Sequence, residues 1–263
     1  MTKAFRKKNS NFFTVNDLAC IALRNSDKSE KLSGSHWKKL TNIEFSGNPI
    51  ASFDKSTFSE LPHLKKLTLS EIRQLDEFPN IKGTSSLEHL RIDRANLKMV
   101  PADICSAAPF LRSLSFKSNL LTQIPKIESC LELKLLDLSY NNILAIEDNS
   151  FKNQANLIDL FLSHNSITEI RMESFKGLLK LQVLDLENNK IVKIHEEAFV
   201  HFKDLRDLNL AANKFSRLPT KGLQNVRQLK TFNNRELKEF PPVETFPKIN
   251  MLALSTLTIA VNS

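Results

Sequence analysis

The stretch Leu133-Lys-Leu-Leu136-Asp-Leu138-Ser-Tyr-Asn141-Asn-Ile143 decides the fold, because it recurs. Its frame, Leu-x-x-Leu-x-Leu-x-x-Asn-x-Ile, returns at Leu157, Leu160, Leu162, Asn165 and Ile167, and again at Leu181, Leu184, Leu186, Asn189 and Ile191. It continues at Leu205, Leu208, Leu210, Asn213 and Phe215. Upstream it is kept by Leu111, Leu114, Phe116, Asn119 and Leu121, and by Leu40, Ile43, Phe45, Asn48 and Ile50. Weaker copies open at Leu64, Leu87, Leu229 and Ile249. The openings are separated by 24, 23, 24, 22, 24, 24, 24, 24 and 20 residues.

A self-similar period of this length is the signature of leucine-rich repeats. The expected fold is therefore an α/β solenoid. It is a horseshoe of about ten coils, with a curved parallel β-sheet on its concave face. Apolar residues recur 13 positions after the opening (Phe53, Val100, Ile124, Ile146, Ile170, Ile194, Leu218), and Phe recurs at 18 (Phe58, Phe151, Phe175, Phe199). One coil cannot bury that set alone, but stacked coils bury it for one another. With strands about 4.8 Å apart, ten coils make a stack on the order of 45–50 Å long. The Asn column follows each strand, where the chain turns inward and leaves backbone groups in need of partners. An amide, donor and acceptor at once, can bridge neighbouring turns. Ile72, Ala95 and Leu237 occupy the Asn slot in three coils, where local irregularity is expected. Prolines such as Pro101, Pro125 and Pro219 fall on the return side, where no ladder N–H is needed.

Working outward, the repeats divide the chain into a basic leader (1–39), a repeat domain (40–254) and a divergent tail (255–263). The leader is expected to be partly disordered, with one degenerate strand at Leu18, Ile21 and Leu23. Formal charge is +8, and residues 1–40 carry +6 of it through nine Lys/Arg and three acids. The excess belongs to the leader rather than to a basic face of the body, which argues against nucleic acid as a partner. Five isolated glycines exclude a phosphate-cradling loop. No run of 18 apolar residues exists, so no helix spans a bilayer. The first 13 residues are charged but lack the apolar core of a secretory leader.

Catalytic and metal chemistry find no foothold. His195-Glu-Glu-Ala-Phe199 begins like a zinc-helix motif but lacks its second His. No nucleophile–base pair stands out, so the chain reads as a non-enzyme, with no cofactor and no small-molecule substrate. Binding through the strand face is the expectation for this architecture. The positions flanking the central Leu present Lys66, Arg91 and Arg94 in the early coils. Farther along they present Leu135, Asp137, Tyr140, Asp159, Phe161, His164, Val183 and Asp185. Tyr140 and Phe161 read as exposed aromatics framed by charge, the usual form of an interface anchor. A solvated face with two stray aromatics is the plainer alternative.

The segments between the leucines are more specific than the leucines. Asn48-Pro-Ile-Ala-Ser-Phe53 with Ser56-Thr-Phe-Ser-Glu-Leu-Pro-His-Leu-Lys-Lys-Leu-Thr-Leu69 is one such segment. Others are Leu75-Asp-Glu-Phe-Pro-Asn-Ile-Lys-Gly-Thr-Ser-Ser-Leu-Glu-His-Leu90, Val100-Pro-Ala-Asp-Ile-Cys105 and Leu237-Lys-Glu-Phe-Pro-Pro-Val-Glu-Thr-Phe-Pro-Lys-Ile249. Together they resemble the ectodomain of leucine-rich-repeat-containing G-protein-coupled receptors of the R-spondin-receptor type, over about 220 of the 263 residues. The resemblance implies a cell-surface receptor domain on the extracellular side of the plasma membrane, recognising a secreted protein ligand in signalling. It implies a fragment lacking the cysteine cap, hinge and transmembrane region, with membrane association only through those missing segments. The family's ligand surface lies mainly in earlier repeats, so no ligand contact is carried over.

The resemblance also implies a disulfide between Cys105 and Cys130, 25 residues apart on adjacent coils. Two buried reduced thiols are the alternative. Cys20 is assigned no role. No Asn-x-Ser/Thr sequon occurs, which leaves two other readings open. One is a secreted or cell-surface adhesion or matrix protein. The other is an intracellular scaffold.

Overall fold

The computed structural model describes residues 37–254, apart from 56, 59 and 60. The leader's degenerate strand, Cys20 and the tail lie outside the described residues. Ten short strands form one parallel sheet, each following the last across its width. They are β1 (Asn42–Ser46), β2 (Lys66–Ser70), β3 (His89–Asp93), β4 (Ser113–Ser115), β5 (Leu135–Asp137), β6 (Asp159–Phe161), β8 (Val183–Asp185), β10 (Asp207–Asn209), β11 (Gln228–Lys230) and β12 (Met251–Ala253). Two-residue strands β7 (Glu169–Ile170) and β9 (Lys193–Ile194) pair on the return side. Among the described residues α-helix is one turn, α1 (Ile104–Ala107), beside two 3-10 turns at Trp37–Lys39 and Val243–Thr245. A coil of about 24 residues that gives up its first third to strand and inward turn has little chain left for a helix.

Register follows the leucines. Ile43, Leu67, Leu90, Leu114, Leu136, Leu160, Leu184 and Leu208 pair in line across the sheet. All are buried, as are Phe58, Phe151, Phe175 and Phe199 from the return side. The Phe175 ring lies 6.1 Å from Phe199 and 5.3 Å from Phe202, so aromatic contact crosses from this coil to the next. Gly177 marks the closest backbone approach: its φ is +99°, and a Cβ there would fall 2.2 Å from the Phe151 carbonyl oxygen. Only glycine combines that dihedral with that clearance.

The Asn ladder is built from identical bonds. Asn165 Nδ2 donates to the carbonyls of Leu138 (3.0 Å), Leu162 (3.1 Å) and Ser163 (3.3 Å), and its Oδ1 accepts from Ile143 N–H (2.9 Å). Asn119, Asn141 and Asn189 repeat the pattern. Asn48 does not: it is half exposed and its amide donates to its own coil's Ser46 carbonyl. Where Ile72 and Ala95 replace Asn, the slot is filled by apolar packing. Strands β1–β3 run five residues, against three in the later strands of the sheet.

One coil is framed differently from the sequence expectation. Leu229 does not open a repeat; it is the strand centre, paired with Leu208 and Leu252. The coil opens at Val226, so the last intervals are 21 and 23 residues rather than 24 and 20. Asn234, not position 237, fills the ladder slot, donating to the carbonyls of Leu210 and Thr231. Leu237 is a core residue beyond it.

Cys105, on α1, and Cys130 of the next coil are buried, their sulfurs joined across a Cα separation of 5.1 Å. Closing a 25-residue loop contributes about 3 kcal/mol in the chain-entropy account. Urea unfolding with and without reductant is expected to differ by that amount, and Cys105→Ser is expected to remove the difference. Free thiols at both positions by mass mapping would contradict the pairing.

Candidate functional site

The sheet's strand face alternates buried leucines with half-buried flanking residues, so every second side chain faces the concavity. Of the residues expected to bind a partner, Lys66, Arg91, Leu135, Asp137, Asp159, Phe161, Val183 and Asp185 lie on this sheet. Phe161 sits between Asp137 and Asp185 in the strand register. It is half-buried rather than exposed as the sequence suggests. Asp159 stands between Leu135 and Val183, with Asp207 one strand farther on. Burial first, and the charge of Asp207 second, raise the Asp159 carboxyl above its ordinary range. The folded state therefore disfavours ionised Asp159. That cost is present above the raised range and is relieved as pH falls through it.

Polarity changes along the face. Lys66, His89, Arg91 and Lys117 surround a shallow depression of about 430 Å³ at the early strands. Beneath them Asp93 is buried. It accepts from Ser115 Oγ (2.7 Å) and Lys117 N–H (3.1 Å) and is ion-paired with Arg91. Asp137, Asp159, Asp185, Glu187 and Asp207 make the later strands acidic. Asp93 as the hub of the basic end is not legible from its position in the repeat.

The other expected residues, Arg94, Tyr140 and His164, are not on strands. They occupy the seventh position after each opening, one column that is left-handed in every coil from Gly47 (φ 68°) to Asn233 (φ 59°). From Gly47 to Ala212 each N–H there donates across to the next coil, as Tyr140 does to the Ser163 carbonyl at 2.9 Å. Gly47, Asn188 and Asn233 in this slot are the sequence signal for it, since Gly and Asn tolerate the left-handed region best. The side chains stack along the rim. Arg94 is ion-paired with Glu71. The Tyr140 ring lies flat on His164, with centroids 3.9 Å apart. Lys117 Nζ sits 5.2 Å over the Tyr140 ring, and Asn188 Nδ2 meets His164 Nδ1 at 2.6 Å. Tyr140 remains 46% exposed, enough to serve as a contact surface at the rim.

The arrangement offers a contact surface graded from basic to acidic, with apolar patches at Leu135, Phe161 and Val183 and an aromatic rim. Among the described residues no three His, Cys, Asp or Glu side chains converge as metal ligands.

Comparison with known proteins agrees with this architecture. The leucine rich repeat family model matches residues 131–191 and 180–235, and the BspA type leucine rich repeat region model (six copies) matches residues 11–127. Leucine-rich repeat-containing G-protein coupled receptor 5 of Bos taurus is 36% identical over 118 residues, 45% of this chain and 13% of the receptor. Leucine-rich repeat-containing G-protein coupled receptor 6 of Danio rerio is 37% identical over 108 residues, 41% of this chain and 11% of the receptor. The aligned part is thus a small fraction of either receptor's length. Among solved structures, a chain of the octameric complex of Latrophilin 3, Unc5D and FLRT2 (LRR) superposes with a TM-score of 0.71 at 19% identity. It covers 96% of this chain and 76% of that one, a likeness of fold alone.

Proposed function

Because the chain belongs to the leucine-rich-repeat proteins, we propose that it is a protein-binding repeat domain of a cell-surface receptor of the G-protein-coupled type, recognising a secreted protein ligand through its strand face. The observation that carries the reading is the match to such receptors at 36–37% identity. It is supported by a strand face that joins apolar side chains to uncompensated carboxylates. Burial first, and Asp207 second, raise the Asp159 carboxyl. A ligand presenting Lys or Arg beside Asp159 would favour its ionised form.

Two measurements test the proposal. The coding sequence contiguous with this chain should encode seven apolar spans; a contiguous sequence without them rejects the receptor assignment. A secreted-protein panel screened against the chain should yield a ligand whose affinity falls about 30-fold when Tyr140 and Phe161 are both replaced by Ala, as loss of an anchor worth about 2 kcal/mol requires. The unfolding midpoint should move little with Tyr140→Ala alone, because that ring is at the surface. Unchanged affinity in both single variants would reject this face as the contact.

A further inference from the structure

Lys190, Lys214 and Arg235 stand nine residues after the openings Leu181, Leu205 and Val226, on the flank just beyond the Asn ladder. Backbone bonds from Lys190 N–H to the Ile167 carbonyl and from Lys214 N–H to the Ile191 carbonyl, both 2.9 Å, stack this slot coil over coil. All three side chains are exposed, and they line one open depression of about 730 Å³ with His164, Asn188 and Glu236.

Several cations of this solenoid are balanced by an acid of the neighbouring coil. Arg171 meets Glu147 at 2.9 Å, and Lys221 meets Glu197 at 2.6 Å. Three residues farther along the same flank, Lys193 lies beside Glu169 and Arg217 beside Glu239 in backbone register. The trio has no such acid beside it. Among the described residues, no hydrogen bond or ion pair engages the side chain of Lys190, Lys214 or Arg235. Like charges on adjacent coils, with backbones about 4.8 Å apart, oppose folding. The fold does not require them, since two preceding coils place Asn142 and Ser166 in the same slot.

We propose that this flank binds a linear polyanion, a sulfated acidic polysaccharide, laid along the solenoid axis across the coils that open at Leu181, Leu205 and Val226. The cations are strung in a line rather than converging on a point, which suits anions repeated along a chain and not a lone phosphate. Lysine and arginine supply the charge, and the Asn188 Oδ1, its Nδ2 already held at His164, can accept from a sugar hydroxyl. No Phe, Tyr or Trp lines the depression. The stacking platform that single-stranded nucleic acid uses is therefore missing. Glu236 is the one opposing charge and sits at the end of the row. The site is separate from the strand face and does not depend on the receptor reading.

The test uses heparin oligosaccharides as the probe and the full chain, with affinity measured over a range of salt concentrations. The triple variant Lys190→Gln/Lys214→Gln/Arg235→Gln should bind about tenfold or more weakly. Its log affinity against log salt should be shallower by about two to three, one per lost contact. Its thermal midpoint should not fall, since all three residues are exposed. Glu236→Gln should tighten binding. A second variant with Lys3, Arg6, Lys7 and Lys8 changed to Gln should keep most of the affinity. The proposal fails if the wild-type chain does not retain heparin, if the triple variant binds as wild type, or if only the leader variant weakens binding. It also fails if single-stranded RNA of equal charge binds more tightly than heparin.

Discussion

Replacing Asn165 by alanine is expected to lower stability by about 4 kcal/mol, although the residue touches no ligand surface and changes no charge. The amide makes four hydrogen bonds, to Leu138, Leu162, Ser163 and Ile143, in a site that is 7% exposed. Truncation leaves the buried Ile143 N–H with no protein partner, which costs about 1–3 kcal/mol, and removes a second donor from the carbonyls of Leu138, Leu162 and Ser163, which keep Asn141, Asn189 and the Tyr140 N–H, at about 0.5–1.5 kcal/mol for each lost bond. The control is Asn48→Ala. Asn48 looks identical in the repeat template, yet it bonds only its own coil and is half exposed. Its loss should cost about 0.5 kcal/mol or less. Urea unfolding followed by circular dichroism separates the two; equal losses would mean that the ladder is not a load on the amide itself. Asn165→Asp should be nearly as harmful as alanine, since an ionised carboxylate accepts but cannot donate to the three carbonyls.

Phe175→Ala is expected to cost a similar amount, about 4 kcal/mol, for a different reason. The ring is fully buried against Phe199 and Phe202, and its removal opens a cavity between coils that cannot close without moving backbone. In a solenoid each coil touches only its neighbours, so the damage is confined to that junction. The coils before and after it should lose their coupling, and a single unfolding transition should broaden or divide into two. Leu179→Ala, four residues away and 41% exposed, should leave the transition sharp. A Phe175→Ala protein that unfolds with wild-type midpoint and slope would show that the aromatic column is ornamental to the stack.

How much of this could be read from the chain depends on what each residue is constrained by. The leucine columns and the ladder from Asn119 to Asn213 were legible because burial forces one residue type into one slot, coil after coil. The frame at Leu229 was not. Thr231 replaces a core Leu and Phe232 imitates one, so the template settles three residues late, and only strand pairing restores Val226 as the opening. Phe161 read as exposed because alternation gives the side of a sheet but not how far neighbouring strands cover it. The rim column is half legible: the repeat pattern places Tyr140 and His164 on the strand face, while the structure puts them on left-handed turns. Their slot is set by backbone conformation, which leaves the side chain free to vary and so leaves a faint trace in sequence. Lys190, Lys214 and Arg235 were hidden by arithmetic. Summed over the 223 residues after position 40, the charge is only +2, and a like-charged row appears only when residues are sorted by their place in the coil.

The stacked pair at the rim also carries an optical consequence. The chain has a single tyrosine. Tyr140 is pressed against His164 halfway along the solenoid. Absorbance of its phenol therefore follows the middle coils without any label being attached, so a melting curve read there and again by backbone circular dichroism shows whether the middle of the array comes apart with the rest or on its own.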